Sequence, residues 1–350
     1  MRIRRIPATI LAATVLVTGL TACSNTGNDS GTGSESSESS NSAEAGAEDI
    51  TIKHAFGETV IEGTPERVAT VGWSNQETPL ALGIVPVGMD KATFGDDDGD
   101  GILPWVKEKI DELGGETPAL FDTTDAIPFE EIAATEPDVI LAANSGLTQE
   151  QYDELSKIAP TVAYPNAAWG TSLDEMVEMN STALGQADEG EKLSEDLDKE
   201  VADAMAAHPD LEGKKVAFAF IEPTDMSKIT IYTDHDTRQD FLLEAGFENP
   251  TVVTEESAKT DQFFVELSSE NPERFDDVDL FIAYGSDDDA ENQKALEAMQ
   301  ADPLLGRIPA IKEGRVAFLG TGPLSAAASP APLAIPWGIE KYLDRLNDAL

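Results

Sequence analysis

The chain of 350 residues alternates short apolar runs with amphipathic stretches along most of its length. Apolar runs that predict buried strands lie at 67–73, 85–89, 138–143 and 161–165, and again at 215–221, 229–232, 279–284 and 316–320. Helical periodicity lies between them at 76–83, 104–113, 128–136 and 148–158, and later at 237–245, 291–301 and 333–349. This alternation predicts mostly parallel sheets covered by helices. Because it occurs twice, we expect an α/β fold of two lobes.

The segment between the two series predicts a long connecting helix. Ser172 and Glu175 have the spacing of a capping box. Large apolar residues then recur every four positions from about Asp188 to His208, a span of roughly 30 Å if helical. The predicted division is an N-terminal lobe over 49–171, a connecting helical segment over 172–210 and a C-terminal lobe over 211–350. Two lobes joined in this way enclose a cleft with a limited opening motion.

The beginning of the chain has the pattern of an export signal. Three arginines among the first five residues precede an apolar segment over 6–20, which is short for a membrane span. Leu20-Thr21-Ala22 then leads to Cys23, the only cysteine, and this arrangement resembles a bacterial lipobox. The resemblance implies that residues 1–22 are a lipoprotein signal peptide. A lipidated Cys23 would hold the chain on the cell membrane, facing outside the cytoplasm. The alternative is an ordinary signal peptide with an incidental cysteine.

Residues 23–48 read as a disordered tether because, after Cys23, they contain no aromatic and no large aliphatic side chain. A flexible coil of this length spans roughly 25–30 Å. Loss of the three N-terminal arginines with the signal peptide would take the formal net charge from −44 to −47. Such a charge argues against binding to nucleic acid or anionic lipid, both of which require basic patches.

Four segments, in this order, are similar to those of class III substrate-binding proteins of bacterial ABC importers, the ferri-siderophore and cobalamin type. They are GTPERVATVGWSNQETPLALGIVPVGM, FEEIAATEPDVILAAN, DTRQDFLLEAGFENP and ELSSENPERFDDVDLFIAY, and the resemblance covers roughly residues 50–350. It implies a monomeric receptor rather than an enzyme. Such a receptor captures a ferric siderophore, uses no cofactor apart from this ferric chelate ligand, and passes it to the importer's permease.

Five aromatic residues are candidates for the ligand site. Trp73 and Trp169 lie just after predicted strands, and Tyr232 and Tyr284 end two strands of the second lobe. Ligands of α/β sheets bind at the carboxyl ends of strands, and aromatic walls suit a bulky chelate. Trp105 follows an acidic, glycine-rich loop and is the fifth candidate. For each of them the alternative is packing in the core or over a loop.

Arg238 is the candidate cation of the cleft. It lies in the loop after a C-lobe strand and corresponds to an arginine that the family often places against anionic chelate oxygens. Arginine suits this role because its donors form a fixed fork. The alternative is a surface arginine at a helix start, paired with Asp236 or Asp240.

Glu130 and Glu270 each open a predicted helix that precedes a strand, one in each lobe. The resemblance implies that these acids pair with arginines of the permease. The alternative role is stabilisation of the helix N-terminus. Glu131 competes with Glu130 for the contact in the first lobe.

The sequence predicts no resident metal. Asp96, Asp98 and Asp100 begin a calcium-loop pattern, but its twelfth position is Lys107 instead of glutamate. We therefore interpret this segment as an acidic loop at the edge of the cleft. The chain contains three histidines, at positions 54, 208 and 235, and their predicted elements do not bring all three together as a zinc site requires.

The sequence leaves open which ligand is bound and whether the protein is a receptor or an enzyme. Cobalamin and haem remain possible ligands of the same receptor, although few histidines are available for haem. A lipoprotein hydrolase acting on a siderophore is the alternative from another class, but no nucleophile motif such as Gly-x-Ser-x-Gly occurs. Because Arg238 is the only convincing cleft cation, we expect a neutral or weakly charged hydroxamate to bind better than a tris-catecholate.

Overall fold

The computed structural model describes residues 49–222 and 225–350. An antiparallel hairpin of β1 (Ile50–His54) and β2 (Gly57–Ile61) comes first. The first lobe then has strands β3 (Val68–Thr70), β4 (Gly88–Asp90), β5 (Ala119–Phe121), β6 (Val139–Ala142) and β7 (Thr161–Ala163). Its helices are α1 (Glu77–Ala81), α2 (Pro104–Leu113), α3 (Phe129–Ala134) and α4 (Gln149–Leu155).

The first sheet is entirely parallel, in the order β5-β4-β3-β6-β7. Strands β3, β6 and β7 are buried along their whole length, as expected for strands covered by helices on both faces. The chain adds β4 and β5 on one side of β3, and β6 and β7 on the other. The point where this direction reverses lies between β3 and β6, and such switch points form the ligand crevice of open α/β sheets.

Two consecutive helices join the lobes. Helix α5 (Leu173–Ala183) begins at the predicted capping box, in which Ser172 and Glu175 bond each other's backbone N–H groups. Helix α6 (Ala187–Ala207) follows after a left-handed Gly185 and has 21 residues. The long helix predicted over 188–208 is therefore confirmed, whereas the lobe boundaries at 171 and 210 stay predictions.

The second lobe has a mixed sheet. Its strands are β8 (Val216–Phe220), β9 (Lys228–Tyr232), β10 (Phe264–Ser268), β11 (Leu280–Ala283) and β12 (Val316–Phe318), in the order β10-β9-β8-β11-β12. Its helices are α7 (Thr237–Glu244), α8 (Thr251–Ser257), α9 (Asp289–Ala301), α10 (Pro309–Glu313), α11 (Pro323–Ala327) and α12 (Ala334–Asp348). Strands β8, β11 and β12 are parallel, but β9 is antiparallel to both β8 and β10.

Strand β10 corrects one sequence prediction. The segment ELSSENPERF was expected to form a helix before β11, but its start belongs to β10, in which exposed and half-buried residues alternate. Helical structure is limited to one 3-10 turn at Pro272–Phe275. Period-two alternation favours an edge strand over a helix, and β10 is the edge strand here. The hairpin and β5 were not predicted either, because they are short or half exposed.

Within the described residues, no helix is long and apolar enough to cross a bilayer. Cys23, the signal peptide and the tether lie outside the described residues. The main apolar core runs continuously from both sheets through α5, α6 and α12. This shared core means that the cleft residues of the two lobes are presented by a common packed framework.

Candidate functional site

A cavity of about 350 Å³ lies where the two sheets face each other. It is lined by Trp73, Phe94, Asn144, Trp169, Asp236, Thr237, Arg238, Phe263, Tyr284, Ser325 and Ser329. Four of the six predicted ligand residues are therefore brought together: Trp73, Trp169, Arg238 and Tyr284. Most of its accessible lining is apolar, with polar groups at a few points, which is the usual character of small-molecule sites.

The first wall is built at the switch point of the parallel sheet. Trp73 follows β3 and Asn144 follows β6, and the Trp73 backbone N–H donates to the Asn144 carbonyl over 3.1 Å. The buried Asn75 amide donates to the same carbonyl and to Val71 O, each over 2.9 Å. The Trp73 indole nitrogen and the Asn144 side-chain oxygen are enclosed and have no hydrogen-bond partner among the described residues. Two side chains of this wall therefore each have a polar atom whose hydrogen bonding is unsatisfied.

Trp169 forms the exposed lip of this wall. Its φ is +61°, which is rare for a bulky residue, and 41% of its surface is accessible. Its backbone N–H donates to Ser145 O over 3.0 Å. A Cβ added at Gly146 would lie 2.3 Å from the indole nitrogen, so the ring packs where only glycine leaves room. A strained and exposed tryptophan points to a functional role more than to core packing.

Arg238 on the opposite wall is already paired. Its Nε donates to Asp236 Oδ1 over 2.8 Å and its Nη2 donates to Asp236 Oδ2 over 2.6 Å. Asp236 also caps α7 by accepting the backbone N–H of Arg238 over 2.9 Å. Burial lowers the pKa of Arg238, but the hydrogen bond and charge of Asp236 raise it more. The alternative pairing considered from the sequence is thus present, and it holds the guanidinium at the cavity wall.

The two predicted tyrosines have different positions. Tyr284 lines the cavity, accepts a hydrogen bond from Arg238 Nη1 and packs edge-on against Phe94, with ring centroids 5.7 Å apart. Burial raises the pKa of its phenol. Tyr232 does not line the cavity: its ring lies under the Arg238 guanidinium, 4.1 Å from the carbon to the centroid. Tyr232 and Tyr284 therefore contact the same guanidinium, one through its ring and the other through its hydroxyl.

Trp105 lies in the core rather than in the cavity, which corrects that prediction. Pro104 begins α2, so the next residue faces inward, and only 3% of Trp105 is exposed. Its indole N–H donates to Glu77 Oε1 over 2.8 Å, and its ring contacts Trp337 at 4.9 Å between centroids. Trp337 itself packs against the core, as the sequence indicated.

The predicted docking acids are both exposed. Glu130 lies in the first turn of α3, where the sequence placed it. Glu270 lies in the turn between β10 and the short 3-10 helix rather than at an α-helix start. A helix-dipole role is therefore available to Glu130 but not to Glu270.

The acidic loop over 96–101 contains the one group of three or more acids, histidines or cysteines in the described residues with metal-binding spacing. Lys107 fills it with a positive charge, since its ammonium bonds Asp98 over 2.7 Å and also Asp100. The histidines contact different groups: His54 bonds Thr59, His208 bonds Asp344, and the ring of the histidine at position 235 contacts the backbone of α8.

Seven lining residues were not predicted as ligand contacts. Asp236 and Thr237 are next to Arg238 in the sequence, and the other five are Phe94, Asn144, Phe263, Ser325 and Ser329. Asn144 follows the strand run DVILAA directly, so the strand-end rule that selected Trp73 also applies to it. Phe94 lies at the start of the acidic loop. The other three carry no local signal, because they precede β10 or lie in and after α11.

Comparison with known proteins adds the following. Residues 68–321 match the family described as "Periplasmic binding protein". Over 86% of this chain and 98% of the other, the chain superposes on Streptococcus pneumoniae PiaA, crystallised with ferrichrome, with a TM-score of 0.80 and 44% sequence identity. The chain is 30% identical over 269 residues to the Bacillus subtilis protein named "Probable siderophore-binding lipoprotein YfiY", covering 75% of this chain and 78% of that one. It is 26% identical over 279 residues to the B. subtilis "Iron(3+)-hydroxamate-binding protein YxeB", covering 79% of each.

Proposed function

Because the chain belongs to the periplasmic binding protein family, we propose that it is an extracytoplasmic receptor that binds a ferric siderophore and delivers it to an ABC permease for iron uptake. The observation that carries this proposal is the aromatic cavity between the lobes, with Arg238 held at its wall. The likeness to PiaA, which was crystallised with ferrichrome, supports the same ligand class. The relatives named above are binding proteins, which agrees with a receptor rather than a hydrolase.

The charge balance of the cavity favours a neutral or weakly charged ferric hydroxamate. Asp236 already compensates Arg238, so the pair offers little net positive charge to a ligand. A ferric tris-catecholate carries about three negative charges, and their desolvation is costly without several free cations. A hydroxamate complex needs mainly apolar contact, from Trp73, Trp169 and Phe263, and one oriented donor from Arg238.

A titration of purified protein tests the ligand class. A ferric trihydroxamate, a ferric tris-catecholate, ferric citrate, haem and cobalamin are added separately at physiological salt while tryptophan fluorescence and native mass are followed. We expect the ferric trihydroxamate to bind most tightly and to quench Trp73 and Trp169. Binding of cobalamin or haem alone would overturn the siderophore assignment, and tighter binding of the tris-catecholate would overturn the charge argument.

We propose Glu130 and Glu270 as the contacts to the permease. Both are exposed, and neither lines the cavity. Replacing both with alanine should abolish uptake in cells while leaving the affinity of purified protein for the chelate unchanged. The matched control is Glu150→Ala with Glu273→Ala, which removes one other exposed acid from each lobe. Weakened chelate binding by the first pair would show that their role is misassigned.

We further propose that Cys23 anchors the receptor to the cell membrane. The related B. subtilis protein YfiY is named a lipoprotein, which supports this location. Cys23→Ser should release the protein from the membrane fraction, because the lipid is expected to be attached through that thiol. Retention of that variant on membranes after a high-salt wash would contradict the lipid anchor.

A further inference from the structure

A second, smaller cavity of about 150 Å³ lies in the first lobe, beside the main one. Trp73 and Trp169 line both cavities, so an arm of a ligand held between these two rings can extend into the smaller one. The rest of its lining comes from the loop after β3, the end of β4 and the segment before α2. We call it the side pocket. Its volume corresponds to about five water molecules, enough for a short aliphatic arm with one polar group.

Two acceptor groups in the side pocket lack partners. Asp90, the last residue of β4, accepts from the Gly72 backbone N–H over 2.9 Å and from the Thr123 hydroxyl over 3.0 Å, both at Oδ2. Its other oxygen, Oδ1, is enclosed and has no partner among the described residues. The side-chain oxygen of Gln76 also has no partner among the described residues, and 93% of that residue is buried. Buried acceptors without donors are costly, and their presence in a cavity indicates a missing donor.

No basic side chain of the described residues pairs with Asp90. Lys91 is the only basic residue in the lining, but it is exposed, and its methylenes lie against Gly101. Its charge acts on Asp122, whose pKa it helps to lower. The side pocket therefore contains a half-buried carboxyl group without a counter-ion, in contrast to Arg238 and Asp236 on the opposite wall.

We propose that the side pocket receives a primary ammonium group carried on an arm of the bound ferric chelate, with Asp90 as its counter-ion. An ammonium group has three N–H donors, which serve Asp90 Oδ1 and Gln76 Oε1 together, whereas a neutral hydroxyl has one. A charge-assisted hydrogen bond to a carboxylate is also about twice as strong as a neutral one. Burial raises the pKa of Asp90 to about 7, as expected for a carboxyl group whose cation is absent. This inference rests on the proposed function and narrows it to amine-bearing chelates.

The test uses a matched pair of ligands. One is the ferric complex of a linear trihydroxamate with a terminal primary amine, and the other is the same complex with that amine acetylated. Both are titrated into the full mature chain at pH 8 and followed by tryptophan quenching. We expect the amine complex to bind about 10- to 100-fold more tightly to the wild type. In Asp90→Asn this preference should vanish while the affinity for the acetylated complex stays unchanged.

Asp122→Asn is the matched control, because it removes one nearby negative charge from an exposed position outside the side pocket. It should keep the full preference for the amine complex. Equal affinity of the two complexes for the wild type, or a preference that survives in Asp90→Asn, overturns the inference but leaves the siderophore receptor standing. Binding of neither complex also overturns it, and the chelate panel then decides separately whether the receptor assignment holds. Thermal unfolding of each variant shows whether it is folded.

Discussion

Glu77 and Asp90 are two acids of the same lobe with opposite environments, the first fully buried and the second half-buried at a pocket wall. Glu77 is fully buried, and its oxygens accept from Trp105 Nε1 over 2.8 Å and from the backbone N–H groups of Leu333 and Ala334 over 2.8 and 3.0 Å. Asp90 uses one oxygen and leaves the other without a partner. Burial raises the pKa of both to about 7, against hydrogen bonds that lower it. Burial alone therefore does not separate a structural acid from a binding acid, but the number of filled acceptor positions does.

Glu77 also shows what a complete set of partners achieves. The two backbone donors belong to the first residues of α12, where the helix has no internal acceptors. A side chain on α1 thus caps a helix that begins 257 residues later. This bond ties the first helix of the first lobe to the last helix of the chain, next to the main cavity.

Removal of Glu77, whose hydrogen bonds are complete, should have the largest effect on stability. Glu77→Ala leaves the Trp105 indole and two backbone N–H groups unpaired in the core, and we expect it to lower the free energy of unfolding by about 3–5 kcal/mol. Urea denaturation measures this change. Glu108→Ala, an exposed acid on α2, is the control and should change stability by less than about 0.5 kcal/mol. An equally small loss for Glu77→Ala would show that this capping contributes little.

Replacement of Asp90, whose hydrogen bonds are incomplete, should instead increase stability relative to wild type at high pH. The folded-state pKa of Asp90 is about 7 against an ordinary value of 3.8, so the folded state holds a proton that the unfolded state releases between these values. Stability therefore falls as the pH rises through this window. Asp90→Asn removes that contribution, and its stability relative to wild type should rise by about 2–4 kcal/mol between pH 4 and pH 8. Parallel stability curves for the two proteins, measured by urea denaturation, would contradict the raised pKa.

Arg238 should contribute to ligand binding even though Asp236 compensates its charge. Arg238→Ala should weaken the binding of a ferric trihydroxamate by about 1.5–3 kcal/mol, because a charged hydrogen bond to the iron-bound oxygens is lost. Arg238→Lys should recover part of this loss, since it restores the charge without the fork. Tryptophan quenching gives both values. The exposed Arg307→Ala is the control, and a loss of the same size there would indicate a general charge effect.

The smallest expected effect is a pH dependence of affinity. Ammonium binding requires ionised Asp90, so with a pKa of about 7 the amine-bearing chelate should bind about tenfold more weakly at pH 6 than at pH 8. The pocket lining contains one other ionisable residue, Lys91, which is present in both proteins. The acetylated chelate should show no such change, and Asp90→Asn should remove it. An identical pH profile for both ligands would assign the titration to another group.

The two-lobed fold, the connecting helix and four of the eleven residues that line the cavity were predictable because they depend on local patterns. Buried strands have apolar runs, and Ser172 and Glu175 specify a helix start within four residues. Trp73 was found by the same kind of rule, since a residue after a parallel strand lies at the ligand edge of its sheet. Such signals need no knowledge of what packs against them.

The sequence by itself determined most of the buried strands, the long connecting helix, the two-lobed α/β class and the aromatic character of the site. Only the tertiary structure decided which aromatics face the cavity and which charges are left without partners. Trp105 lies in the core because Glu77 and Trp337 meet it there, and Tyr232 packs against the Arg238 guanidinium instead of lining the cavity. The physical reason is that periodicity fixes the face on which a residue lies, whereas its partners come from segments as distant as the 256 residues between Glu77 and Leu333.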